Sequence, residues 1–399
     1  MSSKPAFDRT DTIIFMGGIT ALTAVSVDIV LPTTGVVARH FGVEASRGAL
    51  LVGVYFIAYA IGQLFWGLFS DAFGRRLSLI LSLSGFTLAS LACALAPSFT
   101  FLIVARFIQG LMGGAPIIAR AMVRDVASGT EAARLMTVLG AILTIATMFA
   151  PVIGSGLLVL FSWRAIFLGL TVLSLSFIAY TLLVLQETGG QRRPERFTLS
   201  FLRRAGAYLL TNRLFLTPML AGSFTFGGYA SVGAVGAIIA EARYDVSPEA
   251  FGALFVLAAL CNTGGALLAG QMLKRLSLRQ VGTVAMVLLF FAALANLALA
   301  FTTPSLQMFW GGVCLYVLAF GIILPTSYAS AMEPAGEMPG FAASLMGAIS
   351  MSIASGATVI ASRLFDGTHL AVSLCMGLFG LAAVLTVVAG RSLGRRSPL

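Results

Sequence analysis

Two charges stand where the surrounding sequence offers them no water. Asp28 lies in SVDIVLP, inside the first apolar run, and Arg106 lies in FTFLIVARFIQG, inside the fourth. A charge held at depth in hydrocarbon costs several kcal/mol unless it is paired, hydrated or protonated. A carboxylate in such a place can bind and release protons near neutral pH when it faces a water-filled cavity. An arginine beside that cavity can hold its potential positive and respond to the carboxylate or to an anionic group. Plainer readings stand beside these. Pro32 could end the embedded segment so that Asp28 reaches interfacial water, and Arg106 could snorkel outward or tie its span to a backbone carbonyl. Whether the two side chains meet is left open.

Further polar side chains outline a candidate cavity. Tyr55, Tyr59 and Gln63 are spaced four apart and share one helical face. Gln109 is one turn from Arg106, and Tyr229 and Asn262 stand in later runs; each could instead serve as a tie between helices. The stretch GLFSDAFGRRLSL brings Gly67, Asp71, Gly74, Arg75 and Arg76 together between two apolar runs. A close helix approach at Gly67, a tight turn at Gly74 and charge-assisted bonds between Asp71 and Arg75 are expected, forming a latch that changes with conformation. Pro151, Gly154 and Gly156 combine a kink with a surface that a neighbouring helix can approach closely.

The elements that must carry these residues follow from composition. The chain has 399 residues, 58% hydrophobic and only 10% charged, against about 25% charged in soluble domains. Lipid as solvent removes the need for a charged surface, so the fold class is an all-α polytopic membrane protein. Runs long enough to cross fall at 12–33, 48–70, 77–97, 99–122, 135–160, 163–185, 213–240, 250–272, 279–301, 304–328, 341–363 and 368–390. The polar segment 186–212 divides them six and six, giving bundles at 12–185 and 213–390, a short N-terminal segment 1–11 and a tail 391–399. Its TLSFLRR portion could form a short amphipathic helix or a plain linker. Leu139-Gly-Ala-Ile142 and Met346-Gly-Ala-Ile349 echo one another across the halves, as an internal repeat of six spans requires. With both termini in the cytoplasm, 19 of the 25 Lys and Arg residues fall on that side, the bias that sets orientation.

The formal charge of +10 is spread in short clusters between apolar runs, so no nucleic-acid footprint is expected. No metal-ligand spacing, catalytic triad, carboxylate pair or P-loop lysine occurs, so neither an enzyme nor a cofactor is expected. The four cysteines lie in or at the ends of apolar runs and no disulfide is expected.

Together these residues resemble the major facilitator superfamily, specifically its twelve-span drug:proton antiporters of the Bcr/CflA type. Gly67 through Arg76 resembles the loop between spans 2 and 3. Arg106, Gln109 and Gly110 resemble the span 4 motif, and Ala150-Pro151 with Gly154 and Gly156 the span 5 antiporter motif. Asp28 through Pro32 resembles the Asp-x-Tyr-Leu-Pro passage, with Val30 in place of the tyrosine. Gly321 through Ala348 is similar to the segment joining spans 10 and 11. The resemblance implies two six-helix bundles related by a pseudo-two-fold axis, in a bacterial cytoplasmic membrane. It implies proton-coupled export of small amphipathic or drug-like compounds by alternating access, with Asp28 and Arg106 in proton coupling. No cofactor is implied beyond the driving protons, the partners are substrate, protons and membrane lipid, and a monomer suffices. A transporter dedicated to a physiological metabolite is the alternative.

Overall fold

The computed structural model describes residues 10–127, 129–188, 198–335 and 339–394. Expectations placed on Lys4, Arg9, Arg192, Arg193, Arg196, Arg395 and Arg396 lie outside the described residues, as does the side chain of Arg391. Fifteen α-helices run in chain order among those described: α1 (Thr10–Asp28), α2 (Thr34–His40), α3 (Leu50–Phe73), α4 (Arg75–Ala94), α5 (Phe99–Leu111), α6 (Ala115–Val126), α7 (Gly129–Leu160) and α8 (Trp163–Leu183) come first. After the linker helix α9 (Leu199–Thr211) follow α10 (Arg213–Tyr244), α11 (Pro248–Met272), α12 (Leu278–Ala300), α13 (Leu306–Met332), α14 (Pro339–Leu364) and α15 (Leu370–Gly394). They supply twelve spans among the described residues, as the hydropathy requires. Large side chains such as Leu88, Val172, Phe291 and Leu385 are left exposed on the helices, a surface that hydrocarbon rather than water solvates.

The thinnest joins in the sequence are set by side-chain caps. The Ser98 hydroxyl accepts the Phe101 N–H at 3.2 Å, and the Ser162 hydroxyl accepts the Arg164 N–H at 3.1 Å. Each satisfies one of the N–H groups that a helix start leaves without an intrahelical partner. Ser277 and Gln280 form a reciprocal capping box at the start of α12.

Two spans depart from the single helices expected. The first extends from Asp11 to His40 but is broken after Asp28, passing through a 3-10 turn at Leu31–Thr33 before α2 resumes. The fourth runs from Phe99 to Val126 and is broken between α5 and α6. Pro32 and Pro116 mark the resumptions: proline has no N–H to give to the preceding turn but fits a helix start.

The contacts sort into two compact units. One contains residues up to 30 together with 54–205, and the other contains 31–53 with 206–399. The chain-order bundles at 12–185 and 213–390 are thus redrawn at one point. Leu31, Val37 and Ala38 are buried, and the segment that carries them packs with α10, α11 and α14. In the linker, α9 realises the amphipathic alternative, with Ala205 and Leu209 buried one turn apart and Arg203 and Arg204 exposed.

Each unit repeats one packing device. In the first, Gly62 abuts the Leu111 carbonyl and Gly110 the Tyr55 carbonyl, so α3 and α5 touch backbone to backbone. In the second, Gly265 abuts the Leu318 carbonyl and Gly321 the Asn262 carbonyl, which joins α11 to α13 in the same way. Small residues permit this approach, and van der Waals contact drives helix association in lipid. The tyrosines repeat too: Tyr55 donates to the Thr23 carbonyl at 3.3 Å, and Tyr316 donates to the Thr225 carbonyl at 3.1 Å.

Gly110→Ala and Gly321→Ala should each cost about 1–3 kcal/mol through overpacking. Gly140→Ala and Gly282→Ala, where an added Cβ inside a helix meets open space, should stabilise by about 0.5–1 kcal/mol. Thermal unfolding of the purified protein in detergent separates the two groups.

Candidate functional site

Arg106 projects from α5 and is completely buried. A guanidinium removed from water must find acceptors, because leaving one without them costs far more than a neutral group would. Its Nη1 donates to Gln109 Oε1 at 2.7 Å and to both the carbonyl and hydroxyl oxygens of Ser26 at 3.3 Å. The guanidinium carbon lies 4.4 Å from the Tyr55 ring centroid and 5.8 Å from that of Phe167, within cation–π range. Gln109 Nε2 in turn donates to the Ser90 hydroxyl at 2.6 Å, and that hydroxyl donates to the Phe86 carbonyl at 2.7 Å. A chain of directed bonds therefore runs from α4 through α5 to α1.

Its end at Ser26 matters because α1 terminates two residues later. The Val30 N–H bonds the Val27 carbonyl at 3.2 Å, and the Ser26 carbonyl receives Arg106. A cation at the C-terminal end of a helix satisfies carbonyls that the helix cannot and meets the negative pole of its dipole. Arg106 thus caps the break in span 1, and the tie to a backbone carbonyl that was the plainer alternative for this residue is present.

Asp28 is the last residue of α1 and is half-buried. Among the described residues its carboxylate makes no hydrogen bond or ion pair, and none joins it to Arg106. The relation between the two charges runs instead through the last turn of α1. Gly154 of α7 closes the same place from another side: a Cβ there would collide with the Ile29 carbonyl, one residue beyond Asp28. Gly156 faces open space, and Pro151 lies inside α7 as a buried residue. The structure therefore separates two glycines that the sequence groups together.

The cavity candidates divide. Tyr55 and Gln109 are fully buried and Tyr59 and Gln63 nearly so. In this conformation Tyr55 and Gln109, expected to line a substrate cavity, both contact Arg106. Gln63 Nε2 has no hydrogen-bond partner among the described residues. Tyr229 and Asn262 belong to the other unit; the Tyr229 ring stacks on Phe320 with centroids 5.4 Å apart, and Asn262 packs against Gly321.

The 67–79 loop is a second site within the same unit. Arg75 Nη1 bonds Asp71 Oδ1 at 2.5 Å, as its spacing led us to expect, and also the Ser70 hydroxyl at 2.8 Å. Arg75 Nε reaches Asp125 Oδ2 of α6 at 2.8 Å. Arg76 donates to the Thr181 and Leu182 carbonyls at 3.3 and 2.9 Å, capping α8. The Glu187 carboxylate accepts the N–H groups of Arg75 and Arg76 at 2.8 and 3.2 Å, an anion on the N-terminus of α4. Gly74 has φ of 105°, and a Cβ there would meet Glu187. Gly67 supplies a carbonyl to the Ser70 hydroxyl at 3.1 Å. Asp125 and Glu187 were not singled out from sequence. They are remote in the chain, and nothing in their own neighbourhoods distinguishes them from other charges at span ends.

A polytopic chain with two internally similar six-span halves, two broken spans and a buried arginine capping one of the breaks has the build of a membrane transporter rather than an enzyme. The chain belongs to the Major Facilitator Superfamily, whose family description matches residues 16–361. It is 26% identical to a bicyclomycin resistance protein homolog of Haemophilus influenzae, over 89% of each chain. It is 28% identical to multidrug resistance protein D of Escherichia coli, over 90% of each. These names agree with the subgroup that the motifs resemble. Among solved structures, the human organic anion transporter MFSD10 shares the fold with a TM-score of 0.69 at 19% identity, over 96% of this chain and all of that one.

Gly154→Ala should destabilise the protein by about 1–3 kcal/mol and depress transport, because the α1 break has nowhere to move; Gly156→Ala should do neither. Gly74→Ala should cost about 1–3 kcal/mol, since this backbone region is essentially reserved for glycine, and Glu187→Ala should weaken the same loop. Unfolding midpoints for the four variants, with transport assays for the first two, check these outcomes.

Proposed function

We propose that the protein is a proton-coupled antiporter that exports small, amphipathic or drug-like compounds from the cytoplasm by alternating access. The observation that carries this reading is Asp28: a carboxylate without a protein partner among the described residues, at a helix break inside a membrane span, two residues from the turn that Arg106 holds. Broken spans are where secondary transporters place their ion and substrate sites. The names of the resistance-protein relatives support a drug-like cargo.

In this reading a proton from outside neutralises Asp28 and favours outward release of substrate. Loss of that proton toward the cytoplasm readies the site for the next substrate. Arg106 couples the two events mechanically, since any rewinding of the last turn of α1 must release or re-form its bonds to Ser26. Coupling also demands that proton and substrate bind the two conformations unequally, because a ligand with equal affinity for both shifts nothing. The driving force includes about 2.3 kcal/mol per charge per 100 mV if the exchange moves net charge. The Asp71–Arg75–Asp125 cluster is read as a brace on the cytoplasmic side that changes with conformation. The protein would work as a monomer in a bacterial cytoplasmic membrane, with both termini in the cytoplasm and no cofactor.

Proteoliposomes with an imposed pH gradient, screened with candidate drugs while proton flux is followed, test the reading. Wild-type protein should exchange protons for drug. Asp28→Asn should reduce gradient-driven transport to background while leaving the protein folded. Arg106→Lys should impair it strongly, because an ammonium cannot reproduce the guanidinium's planar, multiply directed bonds. Unchanged proton-coupled transport in Asp28→Asn removes Asp28 from the mechanism, and flux in the import direction favours a metabolite carrier.

A further inference from the structure

The four cysteines are free thiols, and two of them share one seam of the second unit. Cys261 lies on α11 and Cys314 on α13, each within a span and each half-buried. Contacts on either side of them align the seam. Trp310 Nε1 donates to the Leu254 carbonyl at 2.8 Å, and a Cβ at Gly265 would collide with the Leu318 carbonyl. Residue numbers rise together on the two helices, so both run in the same direction. Cys261 and Cys314 therefore fall at one level between these points, and the Cys314 thiol is within hydrogen-bonding reach of Cys261.

A disulfide requires Cβ atoms about 4 Å apart, which two helices provide only where their backbones approach closely. Glycine against carbonyl gives that approach here, at Gly265 and again where Gly321 meets the Asn262 carbonyl. The pair is also within reach of small molecules. Leu257 and Leu260 beside Cys261 are exposed, and the Cβ position of Gly311, one turn before Cys314, faces open space. Cys93 and Cys375, by contrast, are buried on α4 and α15. Among the described residues no third His, Cys, Asp or Glu joins the pair as a metal ligand. The chemistry open to it is that of a dithiol.

We propose that Cys261 and Cys314 form an oxidation site, at which a hydroperoxide converts the pair to a disulfide that staples α11 to α13. In the first step the sulfur of one cysteine attacks the terminal oxygen of the hydroperoxide. The O–O bond breaks, the thiol proton passes to the departing oxygen to give an alcohol, and a sulfenic acid forms. The second thiol then attacks the sulfenic sulfur. The S–O bond breaks, the S–S bond forms, and the hydroxyl leaves with the second thiol's proton as water. Two thiols give up two electrons in all, and one hydroperoxide takes them. The second step is fast because the partner sulfur is already in place. The staple closes a loop that contains all of α12 and so stabilises the second unit against unfolding.

Cumene hydroperoxide, an apolar probe, added to the full-length protein in lipid nanodiscs tests the site. After treatment and denaturation, alkylation of Cys261 and Cys314 should fall to background while Cys93 and Cys375 stay labelled. Peptide mapping without reductant should find the two sites linked within one chain, and dithiothreitol should restore both. The oxidised protein should unfold at a higher temperature than the reduced one. Of Cys261→Ser and Cys314→Ser, at least one should carry a sulfenic acid on its remaining thiol that dimedone traps, a species the wild type does not accumulate. Undiminished alkylation of the pair, recovery of its thiols as sulfinic or sulfonic acids, links between separate chains, or no dimedone adduct in either variant overturns the proposal. Nothing in this chemistry depends on the direction or coupling of transport, so either outcome leaves the efflux reading where it stands.

Discussion

The buried guanidinium of Arg106 constrains the first half of the protein more than any other group. Removed from water, it must be met by acceptors, and the acceptors it meets are Gln109 and the last turn of α1. Gln109 is then held by Ser90, and Tyr55 is held beneath the charge by its own bond to Thr23. The break in span 1 lies beside this contact: Arg106 bonds the Ser26 carbonyl, α1 ends two residues later at Asp28, and that carboxylate stands at a helix end rather than in mid-helix. Arg106 therefore stands beside the end of α1 that carries Asp28 without bonding its carboxylate.

Scaffold and chemistry are distributed differently between the halves. Both use glycine against carbonyl to bring their second and fourth spans together, and both hold a tyrosine hydroxyl on a neighbouring backbone. Yet no Asp, Glu, Lys or Arg occurs between Leu214 and Ala240, between Ala250 and Met272, or between Gln280 and Met332. The interior charges belong to the first half alone. The repeated frame supplies two similar bodies, and the proton chemistry attributed to the protein needs only one of them. The 67–79 loop adds a further layer in the first half: Arg75, Arg76 and Glu187 bind α3, α4, α6 and the end of α8 through charges placed on helix termini.

The spans were legible in the sequence because hydrocarbon imposes a length and forbids charge, and a twenty-residue run states both. The Asp71–Arg75 bond was legible because the partners are one helical turn apart. Asp125 and Glu187 were not, because they join the loop from 50 and 112 residues away and only the fold brings them there. Hydropathy is equally blind to a break in a span: the stretch from Asp11 to His40 remains apolar throughout, and only Pro32 hinted at the change. Gln109 shows the limit of reading polarity as cavity. A polar side chain one turn from a buried charge is more economically used on that charge than on a ligand. The unequal roles of Gly154 and Gly156 depend on which face of α7 meets Ile29, and spacing alone does not specify that face.

The claim at the centre of this account is that Asp28 is the group that takes up and releases protons. Infrared difference spectroscopy of the purified, lipid-reconstituted protein between alkaline and mildly acidic pH observes this directly, through the carbonyl stretch of a protonated carboxylic acid. The account predicts that such a band grows as the pH falls through the neutral range and is missing in Asp28→Asn. A band of the same size and pH dependence in Asp28→Asn would contradict it.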